Sequence, residues 1–346
     1  MSDPIRTAVI GYGLAGRVFH APLISADPAY ELAGIVTADP ARSAEAAARY
    51  PSARILSSVD ELLIAADGFD LVVVGAPTPD HAAVATRTLE RGLATVVDKP
   101  LAVRSVDAAA LIELAALGGV PLTVFQNRRW DGDFLTVRKL VEAGAFGDVW
   151  RFESRFEWHS TRPRPQWKQE TAGVDGGGVA YDLGAHLVDQ AVQLFGPVAS
   201  YYGELDRHRA GAVNDDDSFI ALTHTSGVRS HLSMSSMVAQ RGFRFRVLGS
   251  GAAYTKWGLD PQESQLAGGM SPLDEGFGVE PAEAWGRLGR EPDAVPLPTE
   301  RGGYREFYAR LAAALRGSGP LPVDPRDALV AIGIIEDLQA QSTALG

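Results

Sequence analysis

A glycine-rich turn between a predicted strand and a predicted helix constrains the fold of this chain most. The segment has the spacing G-x-G-x-x-G, follows the apolar run Thr7–Ile10 and precedes a helical run from Leu14 to Ile24. In this context the first glycine makes the tight turn, the second lets a pyrophosphate approach the backbone, and the third lets helix and strand pack closely. Phosphates then bind at the helix N-terminus. The predicted cofactor contacts in this turn are Gly11, Tyr12, Gly13, Leu14, Ala15 and Gly16.

Strand and helix patterns alternate along the first third of the chain. Helical runs separate four further apolar segments, which are Leu32–Val36, Leu71–Val74, Ala94–Val97 and Leu122–Phe125. Strands that alternate with helices of this length form βαβ units and a parallel sheet. We therefore predict an α/β Rossmann domain over residues 1–125, with a doubly wound parallel sheet that binds a dinucleotide.

A different periodicity begins near Val149. Apolar side chains from Trp150 to Trp158 alternate with charged ones, which is typical of a half-buried antiparallel strand. Further strand-like runs cover residues 199–205, 219–225, 228–235 and 243–248. These runs predict a second, α+β domain over residues 126–346, with an open, mostly antiparallel sheet that serves substrate binding and oligomerisation.

Two other features complete the predicted organisation. Residues 258–303 are rich in Gly, Pro and acidic residues, which favours long loops. Helices are predicted over 304–316 and 327–342, and they are able to pack back on the first domain.

Composition excludes several functional classes. The formal net charge of −11 disfavours a nucleic acid or an anionic membrane as a partner. The chain has no cysteine, so disulfides, thiolate metal sites and a cysteine nucleophile are excluded. No hydrolase elbow, Walker A motif or zinc-protease motif occurs. The N-terminal segment lacks the pattern of a signal peptide and no apolar stretch has membrane-spanning length, so we expect a cytoplasmic protein.

The residue after the second predicted strand bears on the choice between NAD and NADP. An acid there would bind the ribose 2′-hydroxyl of NAD, but the position holds Thr37, and Asp39 comes two residues later. Thr37 carries no charge that would repel a 2′-phosphate, and Arg42 lies in the next predicted helix. This pattern predicts NADP as the preferred cofactor. The alternative is that both side chains are ordinary polar residues and NAD binds as well.

Lys99 is a candidate catalytic residue because of its place after a buried strand. It follows Asp98 and precedes Pro100, at the carboxyl end of the predicted strand Ala94–Val97, where ligands of parallel sheets bind. Its ammonium group could bind a substrate hydroxyl and stabilise the oxyanion that forms as hydride leaves. The alternative is an ordinary surface lysine. Asp98 and Lys99 are also predicted to contact the cofactor.

Asp182 and His186 form a candidate general-base pair. At roughly 100° per residue, positions four apart on a helix return to within about 40° of each other. The acid would then fix the tautomer of the imidazole, which takes a hydroxyl proton. The alternatives are an acid that stabilises the helix dipole and a core histidine. A metal site is disfavoured because no third ligand is evident, and we predict none.

Weaker signals add further candidate contacts. Residues after the strand Leu71–Val74 are predicted to line the nicotinamide ribose, and these are Ala76, Pro77, Thr78 and His81. Two more cofactor contacts are predicted after the strand Leu122–Phe125, at Asn127 and Arg128. Arg128 and Arg129 could donate hydrogen bonds to the substrate, and the alternative is that they form salt bridges at the domain interface. The predicted substrate-binding residues are Lys99, Arg128, Trp158, Arg162, Trp167, Asp182 and His186.

Taken together, these motifs resemble the Gfo/Idh/MocA oxidoreductase family over nearly the whole chain. The resemblance rests on the glycine turn, Ala76–Thr78 with His81, Lys99-Pro100, Asn127–Arg129, residues 178–189 and Tyr304–Tyr308. Within the family, the chain is most similar to the NADP-dependent scyllo-inositol dehydrogenase branch. The segments behind this second likeness are 125–134, 181–190 and 254–263.

The resemblance implies a catalytic role for Lys99, Asp182 and His186, and an open sheet that often forms the interface of a homodimer or tetramer. Asp98 stands where the family usually has Glu, and Thr37 where it usually has Asp. We expect an NAD(P)-dependent enzyme that moves a hydride between nicotinamide and a secondary alcohol of a small cyclic polyol or sugar. The alternatives are a glycoside hydrolase that uses NAD for transient oxidation and a non-catalytic nucleotide sensor.

Overall fold

Residues 3–160 and 166–345 are described by the structure, a computed structural model. The chain divides into two units. The first contains the residues up to Asn127 together with Gln262–Phe277 and Gly303–Leu329. The second contains Arg128–Pro261, Gly278–Gly302 and the chain from Val330 onward.

Six parallel strands form the sheet of the first unit. They are β1 (Ile5–Ile10), β2 (Tyr30–Val36), β3 (Arg54–Leu56), β4 (Leu71–Val74), β5 (Ala94–Asp98) and β6 (Leu122–Phe125). Their order in the sheet is β3-β2-β1-β4-β5-β6. The strand order therefore reverses between β1 and β4, the point at which doubly wound sheets bind their ligands. All four residues of β4 are buried, as a strand covered on both faces requires.

Helices of the first unit begin and end where the local sequence favours it. The helix Pro40–Arg49 starts with proline, and the carboxylate of Asp39 accepts the Arg42 N–H. Ser58 caps the helix Val59–Ile64 in the same way. The other helices of this unit are Ala15–His20 (a π-helix), Ala21–Ser25, Ala66–Gly68 and Thr78–Asp80 (both 3₁₀), His81–Glu90, Ser105–Gly118, Gln262–Ala267 and Tyr304–Leu315.

The second unit contains a mixed, mostly antiparallel sheet. Its strands are β7 (Val149–Glu157), β8 (Val198–Asp206), β9 (Asp217–His224), β10 (Arg229–Ser235), β11 (Phe245–Gly249), β12 (Ala253–Lys256), β13 (Gly286–Gly289) and β14 (Val295–Leu297). The order is β14-β13-β12-β11-β7-β10-β9-β8, and only the pair β7 and β10 is parallel. Burial alternates along β9, so one face of this sheet packs on the core.

The helices of the second unit include the segment that carries the predicted base pair. A π-helix, Ala180–Gly184, leads directly into the α-helix Ala185–Phe195. The remaining helices are Asn127–Trp130 (3₁₀, at the start of this unit), Gly132–Glu142, Gln166–Glu170, Gly173–Asp175 and Ala282–Ala284 (both 3₁₀), and Asp327–Leu345, which enters this unit at Val330. Within the described part of the chain, no helix is both long and apolar enough to cross a membrane.

The predicted fold class is confirmed, and one local prediction is wrong. Residues 258–303 are not only loops, because they contain the helix Gln262–Ala267 and the strands β13 and β14. These two strands are short, β13 pairs with β12 and β14 pairs with β13, so their pattern in the sequence is weak. The helix predicted from Leu14 is a π-helix in its first part.

Candidate functional site

The glycine turn after β1 has the geometry that a dinucleotide requires. Gly11 has φ +92°, and a Cβ added there would lie 2.4 Å from the Gly75 carbonyl oxygen. A Cβ on Gly16 would lie 2.0 Å from the Gly11 carbonyl oxygen. A Cβ on Gly13 meets no protein atom closer than 3.9 Å, so this glycine keeps open a space next to the backbone. An open backbone at the second glycine is what a pyrophosphate needs, and the turn therefore fits this group.

Thr37 and Arg42 lie near this turn in the first unit. Thr37 follows β2 and is buried, and its backbone N–H donates to the Leu56 carbonyl. The guanidinium of Arg42 is the group that lies 3.9 Å from the Cβ position on Gly13. The carboxylate of Asp39 accepts the Arg42 N–H at 2.9 Å and so serves as a helix cap. The cationic group of Arg42 thus lies beside the second glycine of the turn.

His81 joins the segments that follow β4 and β5. Its side chain is 1% exposed, with Nδ1 2.7 Å from the Pro100 carbonyl oxygen and Nε2 2.9 Å from the Ala76 carbonyl oxygen. The ring therefore fixes the backbone on both sides of the predicted cofactor contacts. Pro77 and Thr78 lie between these fixed points, and a contact from any of these residues to a cofactor stays a prediction.

Lys99 follows the end of β5 and is half-buried. The carboxylate of Asp98 accepts the Lys99 backbone N–H at 3.0 Å. His20 lies near the same carboxylate oxygen, with Nε2 4.0 Å from the Asp98 Oδ1. Tyr308 contacts the other nitrogen of this ring, with its hydroxyl 2.7 Å from Nδ1. The structure thus adds His20 and Tyr308 to the surroundings of Lys99.

Neither residue is among the predicted site residues, although Tyr308 belongs to the segment Tyr304–Tyr308 that contributes to the family resemblance. Burial lowers the pKa of His20 from 6.5 to about 4, although the Asp98 charge raises it. In the sequence, His20 lies within the helical run predicted from Leu14 to Ile24, where no local pattern marks it as a site residue. Its partner Tyr308 is 288 residues away along the chain, a separation over which local patterns carry no information.

Asp182 and His186 lie on consecutive helical segments of the second unit. Asp182 belongs to the π-helix and His186 to the following α-helix, so the angular spacing of a regular α-helix does not apply between them. His186 is 5% exposed, and its ring centroid lies 6.2 Å from that of Phe156. Asp182 accepts a hydrogen bond from the Lys168 ammonium at 2.7 Å. Lys168 was not predicted, because it lies 14 residues from Asp182 on a separate helix.

A buried carboxylate anchors the segment that carries Asp182. Asp215 accepts hydrogen bonds from the Ala180 N–H at 2.7 Å, the Ser218 hydroxyl at 2.7 Å and the Gln339 amide at 3.0 Å. Burial raises the pKa of Asp215 above its usual value. A Cβ on Gly178, where φ is +92°, would lie 1.8 Å from the Asp215 Oδ1, so glycine is required there. Sequence analysis missed this anchor.

The two consecutive arginines Arg128 and Arg129 make different contacts. Arg129 forms a buried ion pair with Asp189, with nitrogen–oxygen distances of 2.5 and 2.8 Å. The Arg128 guanidinium lies 5.4 Å from the ring centroid of Phe156.

Three further predicted contacts are Asn127, the last residue of the first segment of the first unit, Trp158, which directly follows β7, and Trp167, on the helix Gln166–Glu170. The side chain of Asn127 is buried. The backbone N–H of Trp158 donates a hydrogen bond to the Ser235 carbonyl oxygen. The Lys168 ammonium lies 5.5 Å from the Trp167 ring centroid. Arg162, also predicted to bind substrate, lies outside the described residues. Over residues 3–160 and 166–345, no cluster of three or more His, Asp or Glu side chains is arranged to hold a metal ion.

Comparison with known proteins identifies the family. Residues 5–126 match the model of the oxidoreductase family with an NAD-binding Rossmann fold, and residues 134–255 match the GFO/IDH/MocA C-terminal domain. The chain belongs to the Gfo/Idh/MocA oxidoreductase family. It is therefore an oxidoreductase with an NAD(P)-binding Rossmann domain, as the resemblance implied.

Individual relatives of this Gfo/Idh/MocA chain extend over almost its full length. The uncharacterised oxidoreductase YdgJ of Escherichia coli K12 is 37% identical, over 97% of this chain and 96% of YdgJ. The scyllo-inositol 2-dehydrogenase (NADP⁺) IolW of Bacillus subtilis 168 is 29% identical, over 96% of this chain and 92% of IolW. The solved structure of YPO2259 from Yersinia pestis has a TM-score of 0.89 at 34% identity, with 99% and 97% of the two chains covered.

Proposed function

We propose that the protein is a dehydrogenase that moves a hydride between a nicotinamide cofactor and a secondary alcohol of a cyclic polyol or sugar. The observation that carries this proposal is the position of Lys99 at the carboxyl end of β5, in the same parallel sheet whose β1 leads into the open glycine turn. Ligands of doubly wound sheets bind at these strand ends. Relatives named as scyllo-inositol, inositol and D-apiose dehydrogenases support the substrate class.

We assign one chemical role to each candidate catalytic residue. The Lys99 ammonium donates a hydrogen bond to the substrate hydroxyl oxygen and stabilises negative charge there as the C–H bond weakens. His186 accepts the hydroxyl proton, and Asp182 orients the His186 imidazole. The bound nicotinamide supplies the hydride acceptor. The Lys168 ammonium also donates a hydrogen bond to Asp182 and so helps to fix the position of that carboxylate.

Cofactor binding is assigned to residues 1–125 and substrate binding to residues 126–346. We propose NADP as the preferred cofactor, because Arg42 lies beside the glycine turn and Thr37 replaces an acid after β2. Substrate hydroxyls would meet polar and aromatic side chains of the second part, which are Arg128, Trp158, Arg162 and Trp167. We place the reaction in the cytoplasm.

The test is reduction of NADP⁺ and NAD⁺ at alkaline pH against a panel of inositols and aldoses. We expect reduction with at least one panel member, faster with NADP⁺, and a fall in kcat of about 10²- to 10³-fold in Lys99→Ala. Lys139→Ala is the matched control, because Lys139 is an exposed lysine that pairs with Glu300. The control should keep full activity.

Two outcomes would contradict the proposal. Cleavage of a glycoside without net cofactor reduction would identify a hydrolase. Tight cofactor binding without reduction, equal in the wild type and in Lys99→Ala over the whole panel, would indicate a nucleotide sensor.

A further inference from the structure

His20 is a fully buried polar residue at the carboxyl edge of the parallel sheet. It ends the π-helix Ala15–His20, and its side chain is 0% exposed. Its ring lies 4.5 Å from that of Phe125, at the end of β6, and its Nδ1 lies 2.7 Å from the Tyr308 hydroxyl oxygen. A buried imidazole is costly unless its nitrogens are used, so this position requires an explanation beyond packing.

The second nitrogen of His20 faces Asp98. Nε2 has no hydrogen-bond partner among residues 3–160 and 166–345, and the nearest acidic oxygen, Asp98 Oδ1, is 4.0 Å away. Burial lowers the pKa of His20 to about 4, so the ring is neutral near pH 7. Burial also raises the pKa of Tyr308 well above its usual value, so the phenol keeps its proton.

These protonation states select one tautomer. If Nδ1 carried the proton, Nε2 would present a lone pair to the Asp98 carboxylate, which is unfavourable in a buried site. If the Tyr308 hydroxyl donates to Nδ1, the proton is on Nε2 and faces the negative charge. The arrangement is therefore an ordered array in which Tyr308 orients His20 and His20 presents an N–H toward Asp98.

Asp98 connects this array to Lys99. The oxygen that faces His20, Oδ1, also accepts the Lys99 backbone N–H at 3.0 Å. We propose that His20 is a positioning residue for Lys99. His20 acts on Lys99 through Asp98, and Tyr308 orients the His20 ring. The proposal rests on the proposed function only in that Lys99 is taken to contact the substrate. All four residues belong to the first unit.

The first test needs no catalytic activity. Hydrogen exchange of the Lys99 backbone amide is followed by NMR in the wild type and in His20→Phe, which keeps an aromatic ring against Phe125. We expect exchange about tenfold faster in the variant, because Asp98 loses the N–H that it faces. Tyr308→Phe should have a smaller effect in the same direction. The ring nitrogen shifts of wild-type His20 should show the proton on Nε2.

His224→Phe is the matched control for the loss of a buried histidine. The ring of His224 is buried in the second unit, and its two nitrogens form hydrogen bonds with the Gly196 carbonyl and the Ser230 hydroxyl. We expect this variant to lower stability without changing exchange at Lys99. Unchanged exchange in His20→Phe, or a proton on Nδ1 in the wild type, would overturn the proposal.

Kinetics separate positioning from a general structural role. With NADP⁺ and scyllo-inositol as probes, His20→Phe should lower kcat by about tenfold, with KM and the cofactor Kd unchanged. In a Lys99→Ala background the same substitution should cause no further loss, because its effect passes through Lys99. An equal loss in that background would show that His20 acts elsewhere.

The two proposals fail in different ways. If Lys99→Ala retains wild-type activity, or if no panel alcohol is oxidised, the proposed function fails. The exchange experiment then still decides whether His20 positions the Lys99 backbone. If Lys99→Ala is inactive and His20→Phe has normal kcat and normal exchange, only the positioning role fails.

Discussion

At the scale of single residues, a neutral buried histidine makes the folded state sensitive to acid. The pKa of His20 is about 4 in the folded protein and 6.5 when exposed, because burial disfavours the imidazolium. Between these values the unfolded chain binds more protons than the folded one, so stability rises with pH in this window. The stability contribution of the neutral His20 is fully present above pH 6.5 and decreases progressively as the pH falls toward 4.

The expected contribution is about 3 kcal/mol of unfolding free energy between pH 7.5 and pH 4. Urea denaturation at a series of pH values in the wild type and in His20→Phe measures it. The difference between the two proteins should shrink or reverse as the pH falls, since only the wild type loses this contribution. A difference independent of pH over this range would show that His20 is not buried as a neutral ring.

At the scale of elements, the helical segment with Asp182 depends on a distant carboxylate. Asp215 accepts the Ala180 N–H at the start of the π-helix and is almost fully buried. We expect Asp215→Ala to lower the free energy of unfolding by about 2–4 kcal/mol, because three buried donors lose their acceptor. Urea denaturation checks this value.

Asp206→Ala is the matched control for this substitution, because Asp206 is an exposed aspartate on β8. It should change stability by less than about 0.5 kcal/mol. Equal effects of the two substitutions would mean that the hydrogen bonds of Asp215 contribute nothing to the anchoring of the helical segment.

Predictability differs among elements for physical reasons. Five of the six parallel strands are evident from the sequence because each contains a short apolar run, and β4 and β6 are fully buried, as strands covered on both faces require. The strand β3 was not predicted, since it has three residues at the edge of the sheet. The pairing of β12 with β13 joins residues more than 30 positions apart, and such pairing leaves no local pattern.

The candidate site shows the same division. The glycine turn is predictable because its spacing is a short motif between a strand and a helix, and the Gly11 carbonyl that requires glycine at position 16 lies within the motif, although Gly11 itself is also crowded by the distant Gly75. The groups that surround the candidate catalytic side chains are not predictable, because they belong to segments that are far away along the chain. Tyr308 reaches His20 across 288 residues and Gln339 reaches Asp215 across 124. Sequence patterns identify a reactive side chain more readily than the residues that hold it.

At the scale of the whole molecule, we propose that the chain forms a homodimer or tetramer through the sheet of the second unit. On β9 the residues between the buried positions are half-exposed, and they include Phe219 and Ala221. His231 on β10 is paired with Ala221 and lies 5.9 Å from the Phe219 ring centroid. Phe219 and Ala221 place two apolar side chains next to each other on a half-exposed sheet face, and exposed apolar surface of this kind is typical of an association surface.

This proposal predicts a specific loss of assembly in Ala221→Arg. An arginine on this face would place an unpaired charge in the contact, which makes the free energy of association less favourable. In a symmetric interface both subunits contribute such a charge, so the loss occurs twice. Sedimentation velocity should show a dimer or tetramer for the wild type and a monomer for the variant. Ala47→Arg adds the same charge at an exposed position of the helix Pro40–Arg49 and should leave assembly unchanged. Because the formal net charge of the chain is −11, added positive charge by itself should favour association, so dissociation caused by Ala221→Arg alone would locate the contact on this face.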